Sequence, residues 1–145
     1  MTRSIVSFEA GEAAFPMTGE PPGYEPATFL SGALREQGFQ HDGPDELADA
    51  GWGVSGKAGD VAVDCVIALV DVPPRHWEAH THARLPLRRR LFSRESAESE
   101  REDALRRWCQ AIDRALKGHE AVTNIRWHDY EDLQRDDTGT WAASP

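Results

Sequence analysis

VAVDCVIALVDV, residues 61–72, is the one run of this chain that is apolar on both faces of an extended strand. β-Branched Val and Ile dominate it, the turn-forming residues Gly56-Lys57-Ala58-Gly59 precede it, and Pro73-Pro74 stops it. That combination describes a strand covered on both sides. At a side-chain period of two, Val61, Val63, Cys65, Ile67 and Leu69 share one face, and Ala62, Asp64, Val66, Ala68 and Val70 the other. The larger side chains of the first face belong under helices. The second face, with smaller residues and one acid, is where a loop, a partner or a second subunit is expected.

Residues 75–85 alternate, with Trp77, Ala79, Thr81, Ala83 and Leu85 on one side and His76, Glu78, His80, His82 and Arg84 on the other. A half-exposed strand beside the central one accounts for this. Upstream, Gly51-Trp52-Gly53-Val54 begins a strand that the 56–59 turn joins to the central run as a hairpin. Residues 4–9 (SIVSFE) read as a first strand at or near an edge. The Pro- and Gly-rich stretch 11–26 reads as a long loop, pinned by Phe15, Met17 and Tyr24. A helix is predicted over 27–37, with Phe29, Leu30, Ala33 and Leu34 on one stripe, Gly38 as its left-handed stop and Phe39 folding back. Residues 40–49 are polar and acidic, and Gly43-Pro44 opens a single turn through Glu46 and Leu47.

A second helix is predicted over 99–117. Ser99 and Glu102 have the spacing of a capping box, and Leu105, Trp108, Ile112, Ala115 and Leu116 form the apolar stripe. Pro86 and the basic run 87–94 (LRRRLFSR) precede it as a connection. Residues 122–129 read as the last strand, with Ile125 and Trp127 on one face. The order βαβββαβ predicts an α+β fold, a mainly antiparallel sheet with two helices packed on one face. One domain, 1–129, is followed by an acidic, loosely ordered tail, 130–145, with Tyr130, Leu133 and Trp141 as anchors.

The chain has 145 residues and a net charge of −9, which sits mostly in its first half. Residues 1–70 hold 3 basic and 11 acidic side chains, a net −8, whereas residues 71–145 hold 13 and 14, a net −1. A field of that sign favours basic partners and opposes nucleic-acid phosphates, although an acidic surface also simply keeps a protein soluble. No run reaches the roughly 18 to 20 apolar residues of a membrane span, and no secretion signal is evident at the N-terminus, so the expected location is the cytoplasm. Cys65 and Cys109 each fall on the buried side of an element, a usual place for a free thiol.

The sharpest local cluster is His76-Trp77-Glu78-Ala79-His80-Thr81-His82. On a strand it points three imidazoles and a carboxylate the same way, and such His residues can ligate a first-row metal. The run is not HExxH, and an exposed strand face rich in His is the plainer reading. No metal is therefore assigned, with His76, His80 and His82 as the ligands of the alternative. Asp64 within the apolar run could be a desolvated acid or base; pairing with an Arg such as Arg126 is the simpler expectation. Arg84, Arg88, Arg89, Arg90 and Arg94 could contact phosphates, but the acids that follow favour intramolecular balance. Trp52, Trp77, Trp108 and Trp127 fall at inward positions, so core packing is expected of them. A phosphate-binding Gly-rich loop, a GxSxG elbow and an activated Cys are all missing, which counts against an enzyme; no catalytic residue and no cofactor is assigned.

Gly38-Phe39 at a helix end, Gly51-Trp52 at a strand start, the Arg-rich connection from Arg88 to Phe92 and Ile125-Arg126-Trp127 after a long helix form a pattern over residues 27–129. In it the chain resembles a family of small, uncharacterised bacterial α+β proteins, a resemblance that implies no catalytic residue. In size, acidity and layout it is also similar to immunity proteins that neutralise toxins. The leading expectation is a small acidic protein that binds a basic partner, such as a toxin, through Asp42, Asp45, Glu46 and Asp49 together with the 11–26 loop. Two alternatives stand beside it: a metal-binding protein or metal-dependent enzyme built on the His strand, and a structural subunit that dimerises through the open sheet face.

Overall fold

The central run forms a strand with unequal faces. Val61, Val63, Cys65 and Ile67 are buried, while Ala62, Asp64, Val66 and Ala68 are half-buried. The structure, a computed structural model, describes residues 2–17, 19, 21–72, 75–92, 94–129 and 142–145, and of Asp49 the backbone alone. Among these, β1 (Ile5–Ala10), β2 (Gln40–Glu46), β3 (Trp52–Ala58), β4 (Val61–Asp71), β5 (His76–Arg84) and β6 (Val122–His128) form one sheet. Its order is β2-β3-β4-β5-β1-β6, and every pairing is antiparallel. Three α-helices, α1 (Tyr24–Glu36), α2 (Leu87–Phe92) and α3 (Arg94–Gly118), complete an α+β architecture.

Register fixes which side chains share a face. Val63 lies opposite Ala83, Cys65 opposite Thr81, Ile67 opposite Ala79 and Leu69 opposite Trp77, so the inward sets of β4 and β5 coincide. Leu30 and Leu34 of α1 join this core, as do Ala104, Leu105, Trp108, Ile112 and Leu116 of α3. Phe39 meets Trp108 edge-on at 5.2 Å between ring centroids, and the Arg107 guanidinium lies 5.3 Å over the same ring. Each ring contact adds a modest term to the area it buries. Phe39 reaches that position through the predicted stop. Gly38 has φ 83°, its N–H donates to the Arg35 carbonyl, and the Phe39 N–H donates to the Leu34 carbonyl, a complete Schellman motif.

Several local readings are corrected. Residues 40–46 form an edge strand, β2, rather than a polar turn; Gly43 and Pro44 are accommodated where the register shifts between Asp42 and Asp45. A short 3-10 turn, Ala48–Ala50, then leads into β3. Gly56 is no turn residue but lies inside β3, where a Cβ would come within 2.3 Å of the Gln40 carbonyl oxygen of β2; the hairpin turn sits at Gly59-Asp60. Helix α1 starts three residues early, because Pro26 fits its first turn. Phe15 anchors the preceding loop from the core, but Met17 is exposed and does not pin it. The basic run 87–94 is helical through Phe92, and α3 starts at Arg94, so Ser99 lies inside the helix and caps nothing. Buried Ala97 explains the extension, since it begins the stripe seven residues before Ala104. Tyr130, Leu133 and Trp141 lie outside the described residues. The last residues return to the sheet, where Ala142 exchanges two backbone hydrogen bonds of 2.7 Å with Trp127.

Two outcomes follow from this packing. Burial pushes the Cys65 thiol up to about 11 despite a Thr81 hydrogen bond, and also raises that of Cys109. A chromogenic disulfide reagent at pH 8 should therefore label neither thiol until denaturant unfolds the chain, and prompt labelling of either would contradict the core as described. At Gly51, φ is 120° and a Cβ would stand 2.3 Å from the Ile67 carbonyl oxygen. Gly51→Ala should cost about 2–4 kcal/mol in urea denaturation.

Candidate functional site

With the helix-side face committed to the core, chemistry is left to the opposite face and the sheet edges. On that face β5 places His76, Glu78, His80, His82 and Arg84 in one row, as the alternation predicts. Ile5, Ser7 and Glu9 of β1 stand opposite His80, Glu78 and His76, and β6 adds Arg126 opposite Ser7 and His128 opposite Ile5. The row is not evenly open. His82 and Arg84 are exposed, whereas Ile5, Ser7 and His128 are buried.

Two charge pairs organise this surface. Asp64 pairs with Arg84 from the neighbouring strand, and not with Arg126. Glu78 and His80 make a hydrogen bond of 2.9 Å between Oε2 and Nε2. That hydrogen bond holds the Glu78 carboxyl below its usual range; burial opposes the shift, and the positive character of His80, His128 and His76 reinforces it. The His strand thus surrounds a carboxylate. Among the described residues no group of three or more His, Cys, Asp or Glu side chains is arranged to hold a metal ion, so His76, His80 and His82 share a face without forming a ligand set.

The acidic residues singled out by composition lie elsewhere, on β2. Asp42, Asp45 and Glu46 are all exposed, and the side chain of Asp49 lies outside the described residues. β2 is the last strand at its end of the sheet, and no strand among the described residues pairs with its outer edge. No ion pair among the described residues engages Asp42, Asp45 or Glu46, whereas Glu12, Asp60, Asp64, Glu98, Glu100, Asp103 and Asp113 are all paired with Arg or Lys. The 11–26 loop approaches the same end of the sheet. Trp52, opposite Glu46 in register, donates its indole N–H to the Pro21 carbonyl at 2.7 Å.

The basic run divides in two. Arg84 and Arg89 are balanced internally, Arg89 by Glu100 and by Asp60 at 3.6 Å. Arg88, Arg90 and Arg94 make no ion pair among the described residues, and they flank three large exposed side chains, Leu87, Leu91 and Phe92. Arg dominates this stretch and gives it the appearance of a connection in sequence; the i, i+4 pair Leu87 and Leu91 is the signal of a surface. No helix among the described residues is long and apolar enough to cross a membrane. No family model, no curated protein and no solved structure matches this chain.

The Glu78 shift has a pH consequence. A carboxyl whose folded pKa is lowered contributes stability that is full above the ordinary value of 4.5 and is lost as pH falls through the folded value. Glu78→Gln should cost about 1 kcal/mol near pH 6, a gap that closes as both proteins are acidified. Urea denaturation of the two from pH 7 to pH 3 checks this; a gap independent of pH would rule the charge out as its source.

Proposed function

We propose that this chain is a cytoplasmic protein-binding domain that recognises a basic protein through the acidic outer edge of β2. One observation carries the reading: Asp42, Asp45 and Glu46 are exposed and without ion pairs on a strand whose outer edge pairs with no other strand among the described residues. An unpaired strand edge offers backbone donors and acceptors to a partner segment, and the carboxylates select a segment of positive charge. The net −8 of residues 1–70 supplies a longer-ranged field of the same sign, which speeds encounter with a basic protein and is screened within about 8 Å at physiological salt. The loop before α1 is tied to Trp52 at Pro21 and extends the available contact surface. A basic toxin neutralised by an immunity protein is a partner of this chemistry.

Binding of the purified protein to the product of its neighbouring gene and to a set of basic proteins tests the proposal. Affinity should fall with salt, and the triple reversal Asp42→Lys, Asp45→Lys, Glu46→Lys should weaken it about tenfold or more with little change in unfolding temperature. Binding indifferent to both salt and the reversal would remove β2 from the interface.

A further inference from the structure

Helix α2 is six residues long and has no buried residue. A helix this short is not stable on its own in water, and α2 is held through Arg89, which reaches Glu100 on α3 and Asp60 in the β3–β4 turn. What it presents outward is apolar. Leu87, Leu91 and Phe92 are 68%, 70% and 86% exposed, and Arg88, Arg90 and Arg94 stand beside them. Between α2 and the first turns of α3 lies a groove of about 370 Å³, lined by Leu87, Leu91 and Ala97 with Arg90, Arg94 and Glu98 at its sides. Its complement is a surface that is apolar in the middle and acidic at the rim.

The chain itself carries such a surface on the open face of the sheet. Leu47 lies over Gly53, where a Cβ would come within 2.8 Å of its side chain, and Gly53 is opposite Val66 in register. Val66 and Ala68 are half-buried and Val70 is 48% exposed, so an apolar strip continues along β4. Asp45, opposite Gly53, and Asp71, at the end of β4, border it, both exposed and outside any ion pair among the described residues. One molecule cannot bring the two surfaces together. Arg89 ties α2 to Asp60 at the start of β4, and at about 3.4 Å per residue Val70 is some 30 Å further along.

We propose that copies of this chain associate head to tail, the basic apolar α2 of one seated on the acid-rimmed apolar strip of another. The inference rests on the reading of β2 as a protein contact and names a partner for its inner rim. A symmetric contact of α2 on α2 would set Arg88, Arg90 and Arg94 against their own copies, whereas the head-to-tail contact pairs opposite charges and covers apolar side chains on both molecules. Each pair keeps one free surface of each kind, so association continues beyond two chains as concentration rises.

Sedimentation velocity from low to high micromolar concentration tests this. The wild-type mass should climb with concentration, and less steeply at high salt. The pair Arg90→Glu, Leu91→Glu, on a helix that buries nothing, and the pair Asp45→Lys, Val70→Lys, on the strip, should each hold the protein at the mass of one chain, at least tenfold weaker in self-association. An equal mixture of the two variants should give a species of two chains and no larger, because each retains the surface the other has lost. A wild type that stays at one chain throughout overturns the inference, as does a mixture that fails to pair. Wild type at the mass of one chain that co-sediments with phosphatidylglycerol vesicles through α2 assigns the helix to a lipid surface instead. A protein of one chain that still binds a basic protein in a salt-dependent way leaves the role of the β2 edge standing while refuting self-association.

Discussion

Burial of one face of β4 is the constraint on which the rest of this fold depends. Val61, Val63, Cys65 and Ile67 are at most 2% exposed, and their neighbours in the core include Trp108, Cys109 and Ile112 of α3. Because the side-chain period is two, a slip of one residue would turn Ala62, Asp64 and Val66 inward and place a carboxylate in the core. Register is therefore decided at β4 and handed outward to β3 and β5 through residue-by-residue pairing. The same burial leaves Asp64, the His row and the apolar end of the strand on the other side, which is why every candidate site lies on that face, at an edge or on α2.

Some of this was legible because side chains alone encode it. Alternation in 75–85 foretold which residues of β5 are buried, and Gly38-Phe39 foretold how α1 ends. Other features were hidden because a partner elsewhere in the chain supplies their reason. β2 contains Gly43 and Pro44 and no apolar run; it exists as a strand because β3 offers it a backbone to pair with and Gly56 lets that backbone come close. The glycines of 56–59 look alike in sequence, yet Gly59 turns the chain while Gly56 makes room for a neighbouring strand. Ser99 and Glu102 match a capping box, but Ala97 carries the apolar stripe past them, and local capping yields to tertiary burial. Asp64 finds Arg84 rather than Arg126 for the same reason: strand pairing, unreadable in one sequence, decides which charge is adjacent.

The sign asymmetry of the sequence also acquires a physical meaning. On α3 several acids stand within a turn of Arg or Lys, as with Glu98 and Arg101, Asp103 and Arg106, and Asp113 and Lys117, so their charge is answered locally. Pairs of this exposed kind add little to stability, but they do remove a field. Directly opposite Asp42, Asp45 and Glu46 stand Ser55, Gly53 and Trp52 of β3, while Lys57 faces Gln40, and the three acids make no ion pair among the described residues, so their field is answered less closely. Along α3 much of the charge cancels locally, whereas at α2 and the first residue of α3 Arg88, Arg90 and Arg94 make no ion pair among the described residues.

The two ends of the sheet are treated differently, and that difference bears on what a β2 contact would require. At β6 the chain's own Ala142 takes up backbone hydrogen bonds of Trp127. At β2 protection is left to charge, a common means of keeping one strand edge from adding to another. Protection by charge is selective where protection by a covering segment is not. An edge bearing carboxylates rejects a copy of itself and any neutral or acidic strand, but its repulsion becomes attraction for a segment of opposite sign. Solubility and the proposed recognition are therefore not competing explanations for these acids: an arrangement that excludes most strands is also one that a basic segment would satisfy.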